Sequence, residues 1–186
     1  MIRMESPSFA FNSVDVPGPK YRMWQQMTGK KGTSVAELAH EIDRVNRLAW
    51  QHKQCNLLNI IINCHGWDGG GGLSIGGQKQ PSLTLQDASA FSFLKQKRVG
   101  TIWLVACQAA KGPAGKALCQ ELAIQSGYQV VAGDSDQDVG PWSSIRIWTA
   151  PQLHTIDEYE GTVYGFYAGG GMRVINPRRD IMTIME

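Results

Sequence analysis

Two residues far apart in the chain have the types and the settings to do chemistry together. His65 ends the run LLNIIINC, and Cys107 ends the run TIWLVA. A thiol needs a base or electrostatic help to become a thiolate at neutral pH. An imidazole has the unperturbed pKa for that work, and it can then protonate a leaving amine. A developing oxyanion needs donors as well. Gly66 follows His65 with no side chain to block its N–H, and the N–H of Cys107 lies at a strand end, near the start of the next helix.

The elements around these residues decide whether they meet. LLNIII is nearly continuous and rich in β-branched residues, the pattern of a strand buried on both faces of a parallel sheet. TIWLVAC is a second such strand, YQVVAG a third, and SSIRIWTA a fourth with alternating residues. TSVAELAHEIDRVNRLAWQH repeats apolar residues at helical spacing after Ser34, with Glu37 three residues on, which is a capping-box spacing. LTLQDASAFSFLKQKR reads as a short strand running into a helix capped by Thr84 or Asp87. KGPAGKALCQELAIQSG reads as a helix closed by Gly127. GTVYGFYAGGGMRVINP reads as two strands broken by glycines. The predicted fold is α/β: a mostly parallel sheet of about five or six strands, with helices on both faces. Parallel neighbours would put His65 and Cys107 at the same edge. The 107 − 65 = 42 residues between them leave room for a loop and one right-handed crossover.

Residues 1–33 carry Pro7, Pro17, Gly18, Pro19, Gly29 and Gly32, and read as an irregular arm packed on a domain spanning 34–186. The chain of 186 residues fits one such domain with its own core. With 42% hydrophobic and 18% charged residues, the composition is globular rather than disordered. A net charge of +2 gives no footprint for nucleic acid. No stretch has signal-peptide or membrane-spanning character, so the expected location is the cytoplasm, or secretion without a signal peptide.

Other reactive residues read more plainly. Cys55, Cys64, Cys107 and Cys119 show no close spacing pattern, and all four are expected to be reduced. Cys64 should point away from His65 into the core, and Cys119 should lie on a buried helix face. His40, His52 and His154 read as surface residues. No zinc-ligand spacing occurs, and the glycines from Gly69 to Gly72 lack the Gly-Lys-Ser/Thr of a phosphate loop. No metal and no cofactor are expected. The glycine-rich stretch from Gly69 to Gly77 reads as room for a substrate backbone or as a mobile rim. Asp68 is a candidate to orient His65.

An apolar strand ending in His-Gly, followed by one ending in Ala-Cys, resembles the signature of the caspase-like (clan CD) cysteine peptidases. The motifs stand here as IIINCHG, Ile60 to Gly66, and IWLVACQAA, Ile102 to Ala110. Caspases carry Gln-Ala-Cys, then Arg, Gln or Gly, then Gly. Val105 and Ala109 depart from that pattern, which points to a bacterial-type relative of the clostripain/caspase group. The resemblance implies a caspase-like sheet and a cysteine endopeptidase acting through a Cys-His dyad and an acyl-enzyme. Cys107 would be the nucleophile and His65 the general acid/base, with the N–H groups of Gly66 and Cys107 as oxyanion donors.

The resemblance also puts the S1 pocket near VVAGDSDQDVGPW and GFYAGGGMRV. One carboxylate among Asp134, Asp136 and Asp138 would select Arg or Lys at P1 by charge pairing. The same residues also read as a solvated turn. Trp67 and Trp142 read either as walls of the site or as structural residues. The implied partners are a peptide or protein substrate and, for a bacterial effector, an inhibitor or immunity protein. Neither nucleic acid nor membrane is implied. Two alternatives remain: a caspase-like peptide-binding module without turnover, and a cysteine hydrolase of a non-peptide amide or ester. Lys30-Lys31 and Arg178-Arg179 are the dibasic pairs at which a cation-selective enzyme would process itself.

Overall fold

A computed structural model describes residues 1–17, 20–77, 80–97, 100–137 and 153–180. In chain order the strands are β1 (Ile2–Arg3), β2 (Ser8–Asn12), β3 (Gln25–Thr28), β4 (Asn59–Asn63), β5 (His65–Gly66), β6 (Gly72–Ser74), β7 (Leu83–Thr84), β8 (Thr101–Val105), β9 (Gln129–Gly133), β10 (Thr155–Ile156), β11 (Val163–Phe166) and β12 (Met172–Val174). The helices are α1 (Val35–Lys53), a 3₁₀ helix (Leu85–Lys97) and α2 (Gly112–Ser126). The predicted strand over SSIRIWTA lies outside the described residues, as do Asp138, Trp142 and Trp148.

Among the described residues the main sheet has seven strands in the order β12-β11-β9-β8-β4-β2-β3, one more than the expected upper count. β3, β2, β4, β8 and β9 pair in parallel. β11 and β12 complete one side antiparallel. Residues 1–33, expected as an irregular arm, instead supply β2 and β3 to this sheet, with β2 inserted between β3 and β4. The alternating run Phe9-Ala10-Phe11 explains why: every residue of β2 is buried, so the strand serves both faces. Pro7, Pro17, Gly29 and Gly32 fall outside the strands.

α1 begins at Ser34, whose hydroxyl accepts the Glu37 N–H while the Glu37 carboxylate accepts the Ser34 N–H, the reciprocal cap that the spacing predicts. Its buried positions include Val35, Leu38, Ile42, Val45 and Ala49. α2 ends at Gly127, in the left-handed conformation. The segment Leu85–Lys97 winds as a 3₁₀ rather than an α-helix. Its buried residues Ala88, Phe91 and Leu94 recur at every third position, which suits a helix of three residues per turn. The Asp87 carboxylate accepts both the N–H and the hydroxyl of Thr84 at its start.

Among the described residues the helices do not cover both faces as expected. Residues of α1, the 3₁₀ helix and α2 share one core cluster with Phe9, Phe11, Ile60, Ile62, Ile102 and Leu104. The opposite face, with Ala10, Ile61, Trp103 and Val131, is closed by Ile2, Met4, Tyr21, Met23, Ile156 and Ile175 from non-helical segments. No helix among the described residues is long and apolar enough to cross a membrane.

Candidate functional site

The register of the central strands brings the candidate residues together. β4 and β8 pair in parallel with Asn63 opposite Val105. His65 and Cys107 each lie two residues past that pair, so both leave the carboxyl edge of the sheet at the same height. The backbones then touch. A methyl group on Gly66 would overlap the carbonyl oxygen of Cys107 outright and come within 2.6 Å of its carbonyl carbon. Gly66 is thus required for close approach to Cys107, a stronger reason than leaving its N–H uncovered.

Both candidate oxyanion donors are available. Trp67 N–H donates to the Gly72 carbonyl (3.1 Å). The alternation of an antiparallel ladder then turns the Gly66 N–H away from β6. The Cys107 N–H meets no acceptor among the described residues, whereas its neighbour Gln108 donates to the Ser135 carbonyl (2.9 Å).

The imidazole is held by a residue that the sequence did not suggest. Its Nε2 lies 3.2 Å from the backbone oxygen of Asp15 and 3.7 Å from the Asp15 carboxylate. A carbonyl oxygen can only accept, so Nε2 carries the proton and Nδ1 of the neutral ring keeps its lone pair. Asp15 reaches this place because β2 pairs with β4 in register, Asn12 opposite Asn63. That register is fixed by buried amides. Asn63 Nδ2 donates to Asn12 Oδ1 (3.0 Å), which also accepts the Tyr21 N–H (2.8 Å). The Ser13 hydroxyl donates to the Asp15 carboxylate (2.7 Å) and fixes its direction. Asp68 is exposed and makes no hydrogen bond or ion pair with His65, so it is not the orienting group. The alternation in SFAFN is a weak signal for the strand, and only its pairing with β4 places Asp15 beside the ring.

The thiol of Cys107 faces the acidic loop. Its Sγ accepts the Gln137 N–H (3.3 Å), and no hydrogen bond joins it to the His65 ring among the described residues. Cys64 is 4% exposed, and burial first, then Asp15 and Cys107, hold its thiol protonated well above the ordinary range. Cys119 is buried on α2, and burial raises its thiol likewise. Both are core residues, as expected. Cys55 lies before β4 rather than in it. His154 is half-buried, with its ring 3.2 Å from the Ser8 hydroxyl, and is not a plain surface residue.

The glycine-rich stretch after β5 is packed at Gly70 and Gly71 rather than open along its length. A methyl on Gly70 would overlap the Lys111 carbonyl, and one on Gly71 would lie 2.9 Å from the Ala114 methyl. These glycines seat the loop on the segment that follows Cys107. Trp67 is 39% exposed beside it.

A cleft of about 580 Å³ starts one residue beyond Cys107, lined by Gln108, Lys111, Lys116, Asp134, Asp136 and Thr162 among others. Asp134 is not free to bind a ligand there. Its Oδ1 accepts from the Thr162 N–H (2.9 Å) and the Ser135 hydroxyl (3.0 Å), and its Oδ2 from the Tyr164 hydroxyl (3.4 Å). It ties the end of β9 to β11. Asp136 is exposed, holds one hydrogen bond through Oδ1, from Gln108, and forms no ion pair among the described residues. Lys116 places its ammonium 4.5 Å from the Tyr164 ring centre.

Burial pushes the Asp134 carboxyl up, but the hydrogen bonds from Thr162, Ser135 and Tyr164 outweigh it and leave the pKa below the ordinary 3.8. A depressed carboxylate contributes stability above its unfolded pKa and loses it as pH falls through the folded value. Asp134→Asn should therefore cost about 1 kcal/mol at neutral pH. That deficit should shrink below pH 3.8, and urea melts at several pH values will follow it.

The family model described as a domain of unknown function, DUF4347, matches residues 19–149, more than half of the chain. The chain belongs to the DUF4347 family. Comparison with curated proteins gave no match. The DUF4347 match includes His65, Gly66, Cys107 and Asp136, and it begins after β2 and Asp15. Among the described residues of this DUF4347 domain, no group of three or more His, Cys, Asp or Glu could hold a metal ion.

Proposed function

We propose that this DUF4347 domain is a caspase-like cysteine endopeptidase with a preference for Lys or Arg at P1. The observation that carries the reading is the matched register of β4 and β8, with Gly66 packed on the Cys107 backbone. Nδ1 of His65 takes the thiol proton as Cys107 Sγ attacks the scissile carbonyl carbon. The N–H groups of Gly66 and Cys107 hold the oxyanion. The C–N bond breaks as the imidazolium returns its proton to the amine, leaving an acyl-enzyme. Water then adds to the thioester with His65 as base, releasing the acid and restoring the thiol. Asp15 holds the ring through Nε2 and faces the imidazolium with its carboxylate. Asp136, without a cationic partner among the described residues, is the anion that a basic P1 side chain would meet. Such a domain would act in the cytoplasm or as a secreted effector.

One observation favours a second reading, a peptide-binding module without turnover: the His65 ring is bonded to Asp15 and not to the thiol. A peptidyl thiol-reactive probe carrying Lys at P1 separates the two. The peptidase reading expects stoichiometric labelling at Cys107, slowed at least about a hundredfold by His65→Ala. Reversible binding with no covalent adduct would favour the module and defeat the peptidase.

A further inference from the structure

Gln108, the residue after the proposed nucleophile, has a left-handed backbone, φ 54°, that side-chain-bearing residues rarely adopt. Its main chain is pinned on both sides: the N–H donates to Ser135 and the carbonyl accepts from Lys111, each at 2.9 Å. Glycine would fit this turn with less strain. The side chain has two uses. Its Oε1 accepts the Gly69 N–H (3.2 Å), and its Nε2 donates to Asp136 Oδ1 (2.6 Å). The two partners fix the amide's orientation, since an N–H only donates and a carboxylate only accepts. A primary amide suits both jobs because it carries an acceptor and a donor on one rigid group. Glutamate cannot donate to Asp136, lysine and arginine cannot accept from Gly69, and asparagine is one methylene shorter.

Resting on the peptidase reading above, we infer that Gln108 is a positioning residue that clamps the glycine loop and the Asp136 carboxylate on either side of Cys107, and so sets the preference for a cationic substrate side chain. The clamp uses one oxygen of Asp136, which lines the cleft, and leaves Oδ2 without a hydrogen bond among the described residues. The exposed carboxylate therefore points in one direction instead of sampling many, which lowers the ordering cost of binding a cation.

The test compares the whole chain with Gln108→Gly and Gln108→Glu. Gln108→Gly should melt no lower than the parent, because it relieves the φ. Amide exchange over 66–71 and 134–137 should nonetheless rise about tenfold or more. KM for Lys-P1 peptides should rise about tenfold with kcat nearly unchanged, and KM for Ala-P1 peptides should hold. Alkylation of Cys107 by iodoacetamide should stay within about twofold, since the thiol itself is untouched. Gln108→Glu should raise exchange over 134–137 in the same way, and adding Asp136→Asn should return it to the parent level by reversing donor and acceptor. Parent-like exchange in Gln108→Gly overturns the clamp. Raised exchange with an unchanged KM pattern overturns its role in selectivity. Failure of the parent chain to cleave any peptide defeats the peptidase reading instead, and the exchange rates alone then decide the clamp.

Discussion

Cys107→Ala should abolish peptide hydrolysis, by about 10⁴-fold or more, while the protein folds and melts almost as before. The rate effect is large because the attacking atom is removed, and no other thiol can replace it. Cys64 and Cys119 are buried and held protonated, and Cys55 lies before β4, at the opposite edge of the sheet from Cys107. The stability effect is small because Cys107 is only partly buried. Its sulfur accepts the Gln137 N–H at 3.3 Å and donates weakly to the Gln137 carbonyl at 3.9 Å. Sulfur is a weak acceptor, so the loss is worth about 1 kcal/mol or less, or roughly 2–4 °C in a domain of this size. Burst kinetics with an ester substrate and the mass of the trapped acyl-enzyme would check the chemistry, and calorimetry the fold. Residual hydrolysis above about one hundredth of the parent rate would remove Cys107 from the mechanism.

Parts of this arrangement were legible in the residues and parts were not, for physical reasons. The strands holding His65 and Cys107 were readable because a strand buried on both faces is a continuous apolar run, and NIIIN and TIWLV are such runs. Ser34 and Gly127 were readable because caps depend on local geometry alone. β2 was not, because five residues between prolines give a weak signal, and its burial comes from β3 and β4 far along the chain. Losing β2 meant losing Asp15, since nothing local tells that this carboxylate ends beside residue 65. Asp134 and Asp136 look alike in DSDQD, yet only the arrival of Thr162 and Tyr164 from β11 and the loop before it commits Asp134 to the fold and leaves Asp136 exposed. Long-range pairing decided each residue that was misread.

Gly66→Ala should be among the most damaging single-methyl additions to the chain, and it tests the contact on which the site is built. The added carbon meets backbone, not a side chain that can turn aside: it overlaps the Cys107 carbonyl oxygen and stands 3.2 Å from the Cys107 Cα. Relief requires β5 or the 107–110 turn to move. The turn is held by Gln108 N–H to Ser135 and Ala110 N–H to Gly133, each at 2.9 Å. Overpacking against fixed backbone costs about 3 kcal/mol, the upper end of the usual range. Gly69→Ala is the control, because nothing lies within 4 Å of its added methyl and only its φ of +85° opposes the change. That penalty is about 1–2 kcal/mol. Denaturant midpoints should therefore fall further for Gly66→Ala than for Gly69→Ala, at unchanged m-value. Activity should separate them more widely. A displacement of about 1 Å between the thiol and the oxyanion donors is worth about 10²-fold in rate, which Gly66→Ala imposes and Gly69→Ala does not. Equal losses in the two variants would mean that residues 66 and 107 do not touch in solution, and the shared edge of β4 and β8 would no longer support a joined site.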